Sequence, residues 1–191
     1  MDFVIRLYRP ADFERLWQID QACFAPGIAY SQMELSGFIT RRNAITLVAE
    51  QAAKDQQGVP QSDRSCLVEG HPHPGKGSRN GAPTDMAPKT RSSGSNAIAG
   101  FAIAQPYKKH GRILTLDILP EARRSGLGSR LLSECEARLR QRSCTEIYLE
   151  TAVNNEPALK LYHKMGYRIL RTLPGYYHAT GLDAFLLGKE L

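Results

Sequence analysis

The stretch Ile113-Leu114-Thr115-Leu116-Asp117-Ile118-Leu119-Pro120-Glu121-Ala122-Arg123-Arg124-Ser125-Gly126-Leu127-Gly128-Ser129-Arg130-Leu131-Leu132 decides the fold. It opens as an apolar run rich in branched residues, the pattern of a strand buried on at least one face. Pro120 stops the strand, and a basic, glycine-containing turn then runs into a helical pattern. A strand feeding such a turn is an anion cradle, because the first N–H groups of the helix have no intrahelical partner and the dipole adds partial positive charge there. Gly126 and Gly128 let a ligand's phosphates approach the backbone without meeting a Cβ. Two glycines at this spacing also occur in an ordinary tight strand-to-helix turn. The loop is not a Walker loop, since no Gly-Lys-Ser/Thr follows, and it lacks the third glycine of the dinucleotide fingerprint.

Downstream, Leu127, Leu131, Leu132, Cys135 and Leu139 form one stripe of a helix over 127–142, with Arg130, Glu134, Arg138 and Arg142 facing water. Residues 145–151 alternate as a strand does, and Asn155 with Pro157 opens a further helix that Gly166 stops. Two last strands are expected at 167–170 and 184–187, separated by Pro174-Gly175-Tyr176-Tyr177 and a polar turn at Thr180-Gly181. Upstream, residues 3–7 read as a strand, and a helix from Pro10 carries Phe13, Leu16, Trp17, Ile19 and Asp20 on its inner face. Ala25 to Tyr30 forms a turn that exposes Ile28 and Tyr30 as loop-borne contacts. Ser31 and Glu34 make a capping box for a second helix reaching about Arg41. Strands follow at 44–50 and 97–104, and a turn is expected from Pro106 to Gly111.

The window 52–96 differs in composition: it has no aromatic residue and no isoleucine, and it is rich in Gly, Pro and Ser. It cannot bury enough apolar area to offset its ordering entropy, so it is expected as a disordered, low-complexity insertion in the hairpin between two strands. Residues 1–191 then form a single domain. Without the insertion the element order is β-α-α-β-β-β-α-β-α-β-β, an α/β domain on a mixed sheet with a parallel step at 113–151.

The formal charge of +6 suits acidic ligands such as phosphates. It is spread along the chain rather than massed in a block, so no specific nucleic-acid partner is expected. Cys23, Cys66, Cys135 and Cys144 form no CxxC pair and have no histidine at zinc spacing. No metal is therefore expected, and free thiols fit a reducing cytosol. His71 and His73, separated by a proline, do not change this. No signal pattern and no apolar run near about 18 residues is present, so no membrane association and a cytoplasmic location are expected.

Arg123-x-x-Gly126-x-Gly128, after a strand and Pro120, resembles the pyrophosphate-binding motif of the GCN5-related N-acetyltransferase (GNAT) superfamily. Leu149-Glu150-Thr151 through Asn155, Leu161-Tyr162 and Gly166-Tyr167 resembles that family's second acetyl-CoA motif. The tail, Tyr176-Tyr177 before Asp183-Ala184, and the front, Ile19-Asp20-x-x-Cys23-Phe24-x-Pro26, resemble the RimI-like branch that acetylates protein N-termini. The resemblance covers everything outside 52–96. Arg124 stands where many relatives have glycine, and Ala122 replaces a frequent aromatic; neither change removes a backbone N–H.

The resemblance implies the GNAT fold, a mixed and mostly antiparallel sheet flanked by helices around a β-α-β acetyl-CoA-binding core. It implies acetyl-CoA as acetyl donor and no metal. Backbone groups of Arg123, Arg124, Ser125, Gly126, Leu127, Gly128 and Ser129 would hold the pyrophosphate. Those of Leu116, Asp117 and Ile118 would pair with the pantetheine, and Asn155 would contact the coenzyme. Glu150 matches the general base, acting through water on a free α-amino group, and Tyr162 the acid that protonates the leaving thiolate. Phe24, Pro26, Ile28, Tyr30, Tyr176 and Tyr177 would line a groove for protein N-terminal peptides, ribosomal proteins among them. From the residues alone, Asn155 reads equally as a helix cap, Glu150 as a solvated strand carboxylate and Tyr162 as a core aromatic. Two other functions stay open: acetylation of a small amine or a lysine side chain, and a non-catalytic acyl-CoA-binding module.

Overall fold

The computed structural model describes residues 2–24, 28–52 and 97–191. Pro26, and the whole window 53–96 with Cys66, His71 and His73, lie outside the described residues.

Seven strands form one sheet: β1 (Phe3–Leu7), β2 (Ile45–Gln51), β3 (Ile98–Tyr107), β4 (His110–Ile118), β5 (Glu146–Ala152), β6 (Arg168–Tyr177) and β7 (Leu182–Glu190). Their spatial order is β1-β2-β3-β4-β5-β7-β6. Every neighbouring pair is antiparallel except β4 with β5. Helices α1 (Phe13–Cys23) and α2 (Gln32–Thr40) cover one face, and α3 (Leu127–Gln141) and α4 (Glu156–Lys164) the other. Short 3-10 turns at Pro10–Asp12 and Pro120–Ala122 precede α1 and α3. The mixed α/β sheet and the β4-α3-β5 crossover are those expected.

Strand β3 shows how the two faces are dressed. Phe101 and Ile103 pack with Leu16, Ile19 and Leu35 on the α1/α2 side. Ala99, Ala102 and Ala104 lie under Leu131, Leu132, Cys135 and Leu139 on the α3 side. Alanines on one face let the α3 backbone lie close to the sheet while large side chains fill the other. The leucine stripe of α3 is buried as its period requires.

Three expectations change. The turn placed from Pro106 to Gly111 is a tight connection at Lys108-Lys109, with Tyr107 paired to His110. Lys108 takes the left-handed conformation that the tight connection needs, at φ 54°. Pro174-Gly175-Tyr176-Tyr177 does not interrupt the last hairpin but belongs to β6. Proline is tolerated there because β6 is the sheet edge, and a register shift between Leu173 and Tyr177 absorbs the irregularity. Tyr30 is not loop-exposed: it packs edge-on against Phe38 and is partly buried in the α1/α2 core.

Candidate active site

The site is created by a defect in the sheet. On β4, Ile113 pairs with Ala104 and Thr115 with Ile103, so Leu114 is an extra residue, a β-bulge. Parallel pairing with β5 is confined to His110–Glu146, Gly111–Ile147 and Arg112–Tyr148. Beyond Arg112 the two strands have no pairing, and the β4 edge from Ile113 to Ile118 is open. Leu119 N–H bonds Ala99 on the β3 side. Strand alternation then turns the main-chain groups of Asp117 and Thr115 towards β3, and those of Leu116 and Ile118 towards the open edge. Of the three residues named for the pantetheine, Leu116 and Ile118 turn their backbone to the gap, where Ile118 O already accepts from Arg123 Nε and Cys23 Sγ, and Asp117 does not.

The cradle lies at the C-terminal end of β4. Gly126 is the N-cap of α3, at φ 83° and without a side-chain cap. The helix ladder begins with Arg130 N–H on Gly126 O, so the N–H groups of Leu127, Gly128 and Ser129 are left for an outside acceptor. A Cβ at Gly126 would meet nothing within 4 Å. Gly128 has a different task, since a Cβ there would come within 3.1 Å of Ile118 and Leu161 side chains. Arg124 takes φ 58°, the left-handed conformation in which glycine is least strained. Arg123 turns back, its Nε donating to Ile118 O at 2.9 Å, and Ser125 Oγ donates to Ala122 O. These backbone donors, with the open glycine, fit an anionic phosphate chain.

Asn155 is the N-cap of α4: its Oδ1 accepts from Ala158 N–H and its Nδ2 donates to Thr151 Oγ1. Tyr162 sits on the inner face of α4, 7 % exposed, with its ring tilted against Tyr167. Burial raises its phenol pKa, and the nearby Asp117 carboxyl adds to the effect. The phenol therefore stays protonated.

On the opposite face, Glu150 projects from β5 on the side of Tyr148, since Ile147 and Leu149 enter the α3 core. Arg112 of β4 grips it with both arms, Nη2 at 2.8 Å from Oε1 and Nε at 3.1 Å from Oε2. Arg112 Nη2 also donates to the Tyr176 hydroxyl at 3.4 Å. Tyr176 and Tyr177 stack edge-to-face with centroids 5.2 Å apart. Both lie close enough to Tyr30 that a charge on either raises the Tyr30 pKa, although burial is the larger cause. Tyr30 is held by its hydroxyl on Leu114 O, the bulge carbonyl, and by its N–H on Asp20 Oδ2. Phe24 and Ile28 are half-buried at the end of α1 and in the loop after it.

Arg112, Asp20 and Asp117's side chain were not read as parts of the site. Arg112 meets Glu150 across 38 residues of chain and carries no local signature. Asp20 and Asp117 are both sealed in the α1/α2 face, and burial pushes Asp20 up to about 6 and Asp117 up to about 8. Among the described residues no cluster of three metal-ligating side chains occurs, and no helix is long and apolar enough to cross a membrane.

A model of the acetyltransferase (GNAT) family matches residues 81–167. An N-alpha-acetyltransferase of Sulfurisphaera tokodaii is 36% identical over 84 residues, 44% of this chain and 50% of the relative. The chain thus spans about half the length of the curated relatives that it matches first. Among solved structures, the ribosomal-protein-S18-alanine N-acetyltransferase from Escherichia coli aligns with TM-score 0.69 at 18% identity, covering 99% of this chain and 94% of that one. Arabidopsis thaliana NAA60 in complex with acetyl-CoA aligns with TM-score 0.69 at 20% identity over 100% of both chains. At these identities the structural likeness speaks for the fold. The family match covers the β3-β4-α3-β5-α4 core, a little under half of this chain, and the chain resembles the GNAT superfamily over that core and shares its fold.

Proposed function

We propose that the protein is an acetyl-CoA-dependent N-acetyltransferase acting on the α-amino group of protein N-termini. The observation that carries this reading is the gap between β4 and β5. It is open to the α3 cradle on one face and to Glu150, Tyr30, Tyr176 and Tyr177 on the other, so a donor and an amine can meet through the sheet. The similarity to an N-alpha-acetyltransferase supports the α-amine over other acceptors. Buried Cys135 and Cys144, both free thiols, support a cytoplasmic setting.

Acetyl-CoA would supply an acyl group activated as a thioester. The N–H groups of Leu127, Gly128 and Ser129 bind its pyrophosphate, and the backbone of Leu116 and Ile118 aligns its pantetheine arm along β4. Glu150 receives the proton of the incoming ammonium, directly or through one water, and so frees the lone pair that attacks. An α-amino group with pKa near about 8 asks little of such a base at neutral pH. Tyr162 gives its phenolic proton to the departing sulfur. Tyr176, Tyr177 and Tyr30 wall the peptide's first residue, with Phe24 and Ile28 at the loop side.

The test is CoA-thiol release from acetyl-CoA with short peptides beginning Ala, Ser or Met. N-terminally blocked versions, an internal-lysine peptide and spermidine serve as controls. Turnover restricted to free N-termini, with kcat lowered about a hundredfold in Tyr162→Phe, supports the reading. Turnover on spermidine alone replaces it with the small-amine reading. Bound acetyl-CoA without turnover of any acceptor leaves a binding module.

A further inference from the structure

Arg112 is a second charged group in the acceptor groove, and its position there is specific. Strand β4 carries it at the last residue paired to β5, immediately before the strands part. Its contacts with Glu150 and Tyr176 use Nε and Nη2. Nη1, with two further N–H donors, takes no part in them. The Arg112 side chain is 50% exposed and that of Glu150 only 14%, so the carboxylate is the enclosed partner and the arginine the accessible one. Tyr176 accepts from Arg112 with its oxygen, which leaves the phenolic hydrogen free to donate at the same place.

The geometry points to Arg112 as the residue that selects the substrate's first side chain, favouring N-termini that begin with Asp or Glu. This inference rests on the N-terminal acetyltransferase reading. A first residue of that kind carries an ammonium and a carboxylate a few bonds apart. Glu150 and Arg112 present the complementary pair at contact distance. The substrate's ammonium lies on Glu150, and its side-chain carboxylate lies on Arg112 Nη1 and the Tyr176 hydroxyl. Guanidinium offers a planar fork to a carboxylate and stays charged throughout the working pH range. Asn and Gln have nearly the same shape but forfeit the charge-assisted bonds, and a first-position Lys places like charge against Arg112. The overall charge of +6 adds long-range attraction for acidic peptides.

The experiment compares kcat/KM for peptides identical except at the first residue: Asp against Asn, Glu against Gln, and Ala, Ser and Lys. The full chain is used with saturating acetyl-CoA. The expected Asp/Asn and Glu/Gln ratios are about tenfold, falling towards one as salt rises. In Arg112→Gln the ratios fall to about one. In Arg112→Lys, which keeps the charge without the fork, they fall only part of the way. In Arg112→Glu the preference turns to Lys. Because each ratio is taken within one variant, any general loss from loosening Glu150 cancels. Ratios near one in the wild-type protein, or undiminished in Arg112→Gln, overturn the selection while leaving the acetyltransferase reading intact. No turnover of any free N-terminus overturns both.

Discussion

Thr115 Oγ1 donates to Asp117 Oδ1 at 2.6 Å, and the other oxygen of that carboxyl, Oδ2, is buried with no partner among the described residues. Asp20 repeats the arrangement from α1: its Oδ2 accepts from Tyr30 N–H and Gln21 Nε2, while Oδ1 is buried with no partner among the described residues. Two buried carboxyls thus lie behind the open edge of β4, and burial, with the charge of Asp20 adding to it, raises the pKa of Asp117. A protonated Asp117 avoids the cost of a bare buried anion. Its proton therefore stabilises the fold.

The pH dependence of stability follows in sign. An unfolded aspartate ionises near about 3.9, whereas Asp117 keeps its proton up to about 8. Between those values the folded state binds more protons than the unfolded one, so stability falls as pH rises and levels off above the folded pKa. Asp20 acts in the same sense up to about 6. Asp117→Asn removes the larger contribution and keeps an acceptor for Thr115. Its Tm relative to wild type should grow with pH, with a gain on the order of 5 °C at pH 8 and little difference at pH 4. Thermal melts across that range check it, and a pH-independent difference sinks it.

Gly100 faces the same carboxyl-bearing strand from β3. A Cβ there would lie 2.5 Å from Asp117 O, a backbone atom that cannot swing away. Gly100→Ala should therefore force β3 and β4 apart and cost about 2 kcal/mol, seen in the denaturation midpoint. Gly111→Ala is the contrast. Its Cβ would meet the Leu139 side chain, also at 2.5 Å, and that group can change rotamer. The loss at Gly111 should be the smaller of the two.

How far the sequence could be read depended on the range of the signal. The cradle was legible because strand, proline, basic turn and helix are consecutive, and Ser31 caps α2 with Glu34 as their spacing required. The leucine stripe of α3 needed only its own period. The turn at Lys108-Lys109 was not legible, since neither lysine belongs to the residue types that signal a tight hairpin. The extension of β6 through Pro174 depended on that strand being an edge, a fact of sheet order alone. Arg112 was missed because its partner arrives only when β4 and β5 pair. Asp20 and Asp117 look like ordinary polar residues of a helix and a strand until α1 and the sheet close over them.

Glu136 offers a test of the other face. It is buried on α3, accepting from Lys189 Nζ at 2.8 Å and from the Tyr167 hydroxyl at 3.1 Å, so it ties α3 to β7. Lys189→Met leaves the buried carboxylate with only the Tyr167 hydroxyl and Arg140, whose Nη2 is 3.6 Å away, and should cost about 2 kcal/mol. Glu136→Gln strands the ammonium less severely, because Lys189 is 21% exposed. The double variant should be more stable than the sum of the single losses implies, by at least about 1 kcal/mol, in a urea double-mutant cycle. Strict additivity would mean that the pair contributes nothing beyond its packing.

The cradle separates backbone strain from ligand contact. Gly126 and Arg124 both take left-handed conformations, at φ 83° and 58°. A Cβ at Gly126 meets open space, so Gly126→Ala should cost about 1 kcal/mol of stability from the backbone alone. The same methyl projects where a pyrophosphate would approach the free N–H groups of α3, so acetyl-CoA affinity should fall about tenfold or more. Arg124→Gly relieves the strain at its own position but loosens the unfolded chain, and the two effects oppose each other. Its Tm should change by no more than about 3 °C, with any loss of acetyl-CoA affinity reporting the guanidinium's own contribution. Calorimetric titration of acetyl-CoA beside thermal melts of the two variants makes the distinction. If Gly126→Ala binds as wild type does, the anion is held elsewhere and the cradle is only a turn.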